Sequence, residues 1–161
     1  MTIRSASVKL MEFECRGQRL ALALDCVRRA IPSAEPVPLP GAGAAVLGLL
    51  NLGGSVIAVL DLSCRLGLAP VPISPAQQIL VIDVPGLPQL PCGLLVDRIA
   101  GVSERVLDGA MPDGLRAAPM VAGVLRLEDG LCLIADPAHF LFPEERHALL
   151  DAVARGLDGT P

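Results

Sequence analysis

Residues 8–15 alternate, with Met11, Phe13 and Cys15 on one side and Glu12 and Glu14 on the other, which predicts a half-buried strand. Arg16-Gly17-Gln18 turns the chain. Leu20, Leu22 and Leu24 then form the inner face of a returning strand that runs on through Val27 towards Ile31. Pro32, Pro36, Pro38 and Pro40 forbid regular structure and predict a stiff crossing loop. Two apolar strands follow around Gly53-Gly54, and Asp61 starts a short helix ending near Leu66. Pro70, Pro72 and Pro75 mark residues 67–76 as a linker. Beyond it, Gln78 to Val84 is a continuous apolar run fit for a strand buried on both faces. A Pro-rich loop over 85–91 leads to strands over Gly93–Ile99 and Gly101–Leu107. A Gly/Pro-rich loop at 108–119, read as mobile, precedes another hairpin. The chain closes with a helix: Pro143 at its first position, Glu144 and Glu145 in its first turn, Leu149, Leu150 and Val153 on one side, and Arg155-Gly156 at its end.

A fourteen-residue pattern, glycine to aspartate with apolar strands between, recurs. Gly48-Leu49-Leu50-Asn51-Leu52-Gly53-Gly54-Ser55-Val56-Ile57-Ala58-Val59-Leu60-Asp61 returns, at an offset of 75 and without a gap, as Gly123-Val124-Leu125-Arg126-Leu127-Glu128-Asp129-Gly130-Leu131-Cys132-Leu133-Ile134-Ala135-Asp136. Each copy reads as strand, turn, strand and a helix-capping Asp. A weaker echo, Leu24-Asp25-Cys26-Val27 against Val96-Asp97-Arg98-Ile99, sits at an offset of 72. About nine short strands and one terminal helix predict an all-β chain: two small β-barrels side by side in tandem. Lobe 1 covers about 8–66, lobe 2 about 77–142, and residues 143–161 form a C-terminal helix and tail.

Composition narrows the chemistry. Residues 36–60 carry no charge, long enough for a membrane helix, but three prolines, Asn51 and Gly53-Gly54 split the stretch into a loop and a hairpin. Trp and Tyr are absent and Phe occurs three times, which argues against an aromatic stacking platform. A net charge of −4 argues against a nucleic-acid partner. Five scattered cysteines without a CxxC pair, and no apolar leader, read as a reducing cytoplasm. His139 and His147 lie eight residues apart, not at metal-pair spacing, and Lys9 is the only lysine, which disfavours a Lys-dependent phosphate site. A Cys132–His139–Asp136 hydrolase triad can be drawn, although Asp136 is better employed as a helix cap. These readings predict no enzyme, no catalytic residue, no metal and no cofactor. A cysteine hydrolase or thiol-redox protein, and a ligand-binding sensor using a cleft between lobes, are the alternatives from other classes.

The ordered segments Val27-Arg28-Arg29-Ala30-Ile31, Leu39-Pro40, Gly48-Leu49-Leu50-Asn51-Leu52-Gly53-Gly54, Val59-Leu60-Asp61-Leu62, Gly93-Leu94-Leu95-Val96-Asp97-Arg98-Ile99 and Ala135-Asp136 resemble the CheW family of chemotaxis coupling proteins over 8–142. The resemblance implies two five-stranded SH3-like barrels and a non-enzymatic adaptor that couples chemoreceptor cytoplasmic tips to the regulatory domain of a CheA-type histidine kinase. It places the protein in the cytoplasm, recruited to receptor arrays through its partners, without direct membrane insertion. It implies partner contacts by strand edges and an apolar groove, with Val27, Arg29, Ile31, Gly48, Asn51, Gly53 and Gly54 as the candidate binding residues. Three positions depart from the family pattern. Gly53 stands where Arg is usual, Arg29 where Glu is usual, and Ala58 where Pro is usual. The departures imply an alternative, a diverged scaffold with dedicated partners in a non-flagellar pathway controlling type IV pili or second messengers.

Overall fold

In the computed structural model, which describes residues 7–69, 71–106 and 119–156, the described residues form ten strands, three short 3-10 turns and one α-helix. The strands are β1 (Ser7–Cys15), β2 (Gln18–Ala23), β3 (Val27–Pro32), β4 (Val46–Leu52), β5 (Ser55–Leu60), β6 (Gln78–Ile82), β7 (Cys92–Val96), β8 (Arg98–Val106), β9 (Val121–Leu127) and β10 (Gly130–Ala135). Helix α1 spans Pro143–Gly156. The expected loop at 108–119 and the tail beyond 156 lie almost wholly outside the described residues.

The strands make two five-stranded sheets, ordered β8-β1-β2-β10-β9 and β3-β6-β7-β5-β4, so the all-β class holds. The lobe boundaries do not. Neither sheet is built from one half of the sequence: β1 and β2 join β8 to β10, whereas β6 and β7 join β3 to β5. The expected long strand from Leu20 towards Ile31 is cut by a 3-10 turn at Leu24–Cys26, where the chain leaves the first sheet for the second. Cys26 accepts the Asp83 N–H at 2.9 Å there, tying the crossing to the end of β6. The return crossing is at Asp97, between β7 and β8. Its carboxylate accepts the Arg16 N–H at 2.6 Å and the Gln77 side-chain amide at 3.0 Å. The two segments that echo each other at an offset of 72 are therefore the two crossings.

The 14-residue repeat is equally structural. In both copies the ladder slips at the same place: Val46↔Leu60 and Gly48↔Val59 in one, Val121↔Ala135 and Gly123↔Ile134 in the other. Asp61 caps the turn at Leu62–Leu66 by accepting the Ser63 N–H at 2.9 Å, and Asp136 caps Pro137–His139 by accepting the Ala138 N–H at 3.0 Å.

Period-two alternation explains why the apolar runs are continuous. In β5 and β6, Ala58, Leu60, Leu80 and Ile82 face a large shared core between the sheets, together with Phe13, Leu20, Leu22 and Leu94. Their neighbours Ile57, Val59, Ile79 and Val81 fill a second cluster with Leu95 on the other face. The first sheet has its own smaller cluster of Leu10, Ala21, Leu125 and Cys132. Helix α1 closes the shared core with Leu149, while Leu150 is exposed.

Candidate partner-docking surface

The seven candidate binding residues all fall on the second sheet, at its two opposite edges. Val27, Arg29 and Ile31 lie on edge strand β3, where a bulge between Val27 and Arg29 interrupts pairing with β6. Arg29 is exposed, Val27 and Ile31 half-buried. Gly48, Asn51, Gly53 and Gly54 lie on the other edge, in β4 and its hairpin to β5.

Local physics accounts for several of the glycines. Gly53 and Gly54 are the two central residues of the hairpin turn, at φ 60° and 96°, the left-handed pair that a two-residue turn of this kind requires. Asn51 accepts the Gly54 N–H on its side-chain oxygen at 2.8 Å and so holds the turn shut. Gly48 sits at φ 150° beneath a segment of the proline loop: Val37 and Leu49 exchange backbone hydrogen bonds at 2.8 and 2.9 Å. A Cβ at position 48 would overlap the Val37 carbonyl. Gly48 thus shapes the site and is itself buried.

The resemblance implies an apolar groove, and the structure places one beside this edge. It holds about 260 Å³ and is lined by Val37, Pro38, Leu39, Leu49, Leu50, Asn51 and Val56, with Ala152 and Val153 of α1 as the far wall. The helix is held there by a contact that its periodicity did not show. Glu145, read from the sequence only as a first-turn acid, is buried and pairs with Arg65. Arg65 also donates to the Phe140 carbonyl at 3.3 Å and stacks over the Phe142 ring at 4.0 Å. A second cleft, of about 490 Å³, lies at the first crossing and is lined by Asp25, Cys26, Asp83 and the Pro85–Pro88 loop.

The hydrolase triad does not assemble as a reactive site. Asp136 is committed to its cap, with His139 3.8 Å from its other oxygen, and Cys132 is packed among Leu10, Ala21 and Leu125. Burial pushes the Cys132 thiol up to about 11, and Cys15 and Cys92 to about 12, so these thiols stay protonated at neutral pH. Among the described residues no three His, Cys, Asp or Glu side chains are grouped to hold a metal, and no helix is long and apolar enough to cross a membrane. Alkylation at pH 7.5 is expected to label Cys64 first, the one exposed cysteine of the five. Mass spectrometry that finds Cys15 or Cys92 modified first would contradict the packing.

A family model for the CheW-like domain matches residues 9–143, most of the chain and both sheets. The chain belongs to the CheW family. It is similar to a chemotaxis protein CheW of Rhizobium meliloti (strain 1021), at 29% identity over 145 residues, 87% of this chain and 91% of that one. A probable chemotaxis protein CheW of Rhizobium etli is 29% identical over 94 residues, 58% of this chain and 59% of that one. The crystal structure of the scaffolding protein TtCheW from Thermoanaerobacter tengcongensis superposes with a TM-score of 0.72 at 20% identity, over 84% of this chain and 92% of that one, and shares the fold. CheW proteins are non-enzymatic scaffolds of chemotaxis, and this chain is one of that family. Against the family pattern, Ala58 is a core matter and no surface change: it is fully buried and its N–H donates to the Pro91 carbonyl at 3.1 Å, a bond that a proline there would lack. Arg29 and Gly53, in contrast, are both exposed.

Proposed function

We propose that this chain couples a chemoreceptor to a CheA-type histidine kinase, with Val27, Arg29 and Ile31 of β3 and the Gly53-Gly54 hairpin tip as contact points and Gly48 and Asn51 shaping the second of them. The observation that carries this reading is the CheW-like match over 9–143, which spans both sheets and therefore both edges of the second one. An adaptor needs two separate surfaces, and β3 and β4 are four strands apart across one rigid sheet. In this arrangement apolar side chains at half-buried edges supply affinity and exposed charge supplies selectivity. Co-precipitation with the regulatory domain of the cognate kinase and with a receptor cytoplasmic hairpin tests it. Retention of both is expected; retention of neither overturns the coupling role.

A second reading, a scaffold with dedicated partners in a non-flagellar chemosensory pathway, is favoured by the exposure of both Gly53 and Arg29, where the family pattern has charges of its own. Gly53→Arg separates the two. The turn tolerates the side chain: a Cβ at 53 meets nothing within 4 Å, and Arg16 already adopts φ 53° before Gly17 in the β1–β2 turn. The left-handed backbone should therefore cost about 1 kcal/mol of stability. If partners have diverged with the chain, binding measured by titration calorimetry falls while the thermal midpoint drops by only a few degrees. Binding that strengthens returns the protein to the ordinary coupling class, because a guanidinium adds charge-assisted donors.

A further inference from the structure

A strand at the edge of a sheet offers unpaired N–H and C=O groups to any other strand, and natural sheets blunt such edges with charge, bulges or proline. The two edges of the second sheet differ in how this is done. β3 carries Arg28 and Arg29, a bulge between Val27 and Arg29, and Pro32 as its last residue. β4 carries neither charge nor proline, and its one irregularity is the slip between Val46 and Gly48 in its pairing with β5. From Pro36 to Leu60 there is no charged residue, and apart from Gly48, Asn51 and Ser55 the β4–β5 hairpin is Val, Leu, Ile and Ala around a Gly53-Gly54 turn, an apolar, uncharged composition prone to pair with copies of itself.

What lies on β4 instead is the Pro36-Val37-Pro38 segment. Val37 directs both its N–H and its C=O to Leu49. Successive residues of an extended chain point these groups to opposite edges, so those of Pro36 and Pro38 point away from β4. Proline has no N–H, and Pro38 is exposed, as is the Val37 side chain at 72%. The segment therefore consumes the outward pair of Leu49; Pro36 is buried, and the exposed Pro38 presents an edge that cannot donate there. Gly48 is the matching piece, since any side chain there would displace the Val37 carbonyl.

We infer that Pro36-Val37-Pro38 is an edge guard, which keeps a second copy of this chain from extending the second sheet by strand addition at β4. The partner surface beside it is consequently read by side chains in the groove and at the hairpin tip, not by main-chain pairing along β4. Two variants test the guard without touching the core. Val37→Pro removes the N–H that donates to Leu49 and loosens the segment, and Pro38→Ala restores one outward donor at an exposed position. Sedimentation velocity across a dilution series, with the thermal midpoint of each variant recorded in parallel, reads the result. Reversible self-association at least about 10-fold tighter than in the parent chain is expected, and in either variant it supports the guard. Self-association no tighter than the parent's in both overturns it. Should Val37→Pro fail to fold, Pro38→Ala alone decides.

Discussion

Glu145→Ala is expected to lower stability by about 3 kcal/mol and the thermal midpoint by roughly 10 °C, more than any surface charge in this chain. Both partners of its ion pair are nearly out of water, with side-chain exposures of 12% for Arg65 and 8% for Glu145. At such depth the loss of one partner strands the other, and the stranded charge accounts for most of the penalty. Glu145 also accepts the Phe142 N–H at 2.7 Å, so the same substitution uncaps α1. Arg65→Ala should cost a similar amount. It leaves the Glu145 carboxylate facing Gly43 and removes the donor to the Phe140 carbonyl. Replacing both residues with Met should recover much of the loss, since an apolar pair of similar volume needs no desolvation of charge. Thermal unfolding of the two Ala singles and of the double that combines them gives the coupling energy. Single costs below about 1 kcal/mol, the range of exposed pairs, would show that the pair is solvated.

Gly48→Val is expected to destabilise by about 3 kcal/mol and to open the groove as well. Two effects add. The backbone at φ 150° disfavours a β-branched side chain, and the new Cβ would occupy the space of the Val37 carbonyl. The chain can relieve the overlap only by lifting the Val37 segment off β4, which breaks both hydrogen bonds to Leu49. Hydrogen exchange separates this from general loosening. Protection should fall at Val37 and Leu49 and persist at Ile79 to Ile82, in the middle of the sheet. Equal loss of protection at all these sites would mean that Gly48 supports the whole sheet. Gly123→Ala, at the matching place in the other repeat, is the control. Its Cβ would meet only the end of the Ile134 side chain, at 3.4 Å, and a cost below about 1 kcal/mol is expected.

Features of the chain that act over a few residues were legible in the sequence. The Gly53-Gly54 turn, the caps at Asp61 and Asp136, the doubly buried run from Ile79 to Ile82 and the helix from Pro143 each follow from local chemistry: left-handed backbone, an acceptor for free amides, period-two burial, proline at a helix start. The repeat belongs with them, because two hairpins with one register slip share the glycine at the slip, apolar strands and a capping Asp at the same spacing. What only the tertiary structure decided is which strand meets which. The two halves carry nearly interchangeable apolar strands, so nothing in their pattern says that β2 pairs in parallel with β10 through Leu20↔Leu133, or β5 with β7 through Val59↔Gly93. Exchange between the halves is settled by the geometry at Cys26 and Asp97, where the chain changes sheets. The candidate docking surface was split in the same way. Its hairpin could be read from Asn51 and its glycines, whereas Val37 meets Leu49, and Arg65 meets Glu145, only in space, across 12 and 80 positions of sequence, where burial and not periodicity sets a residue's role.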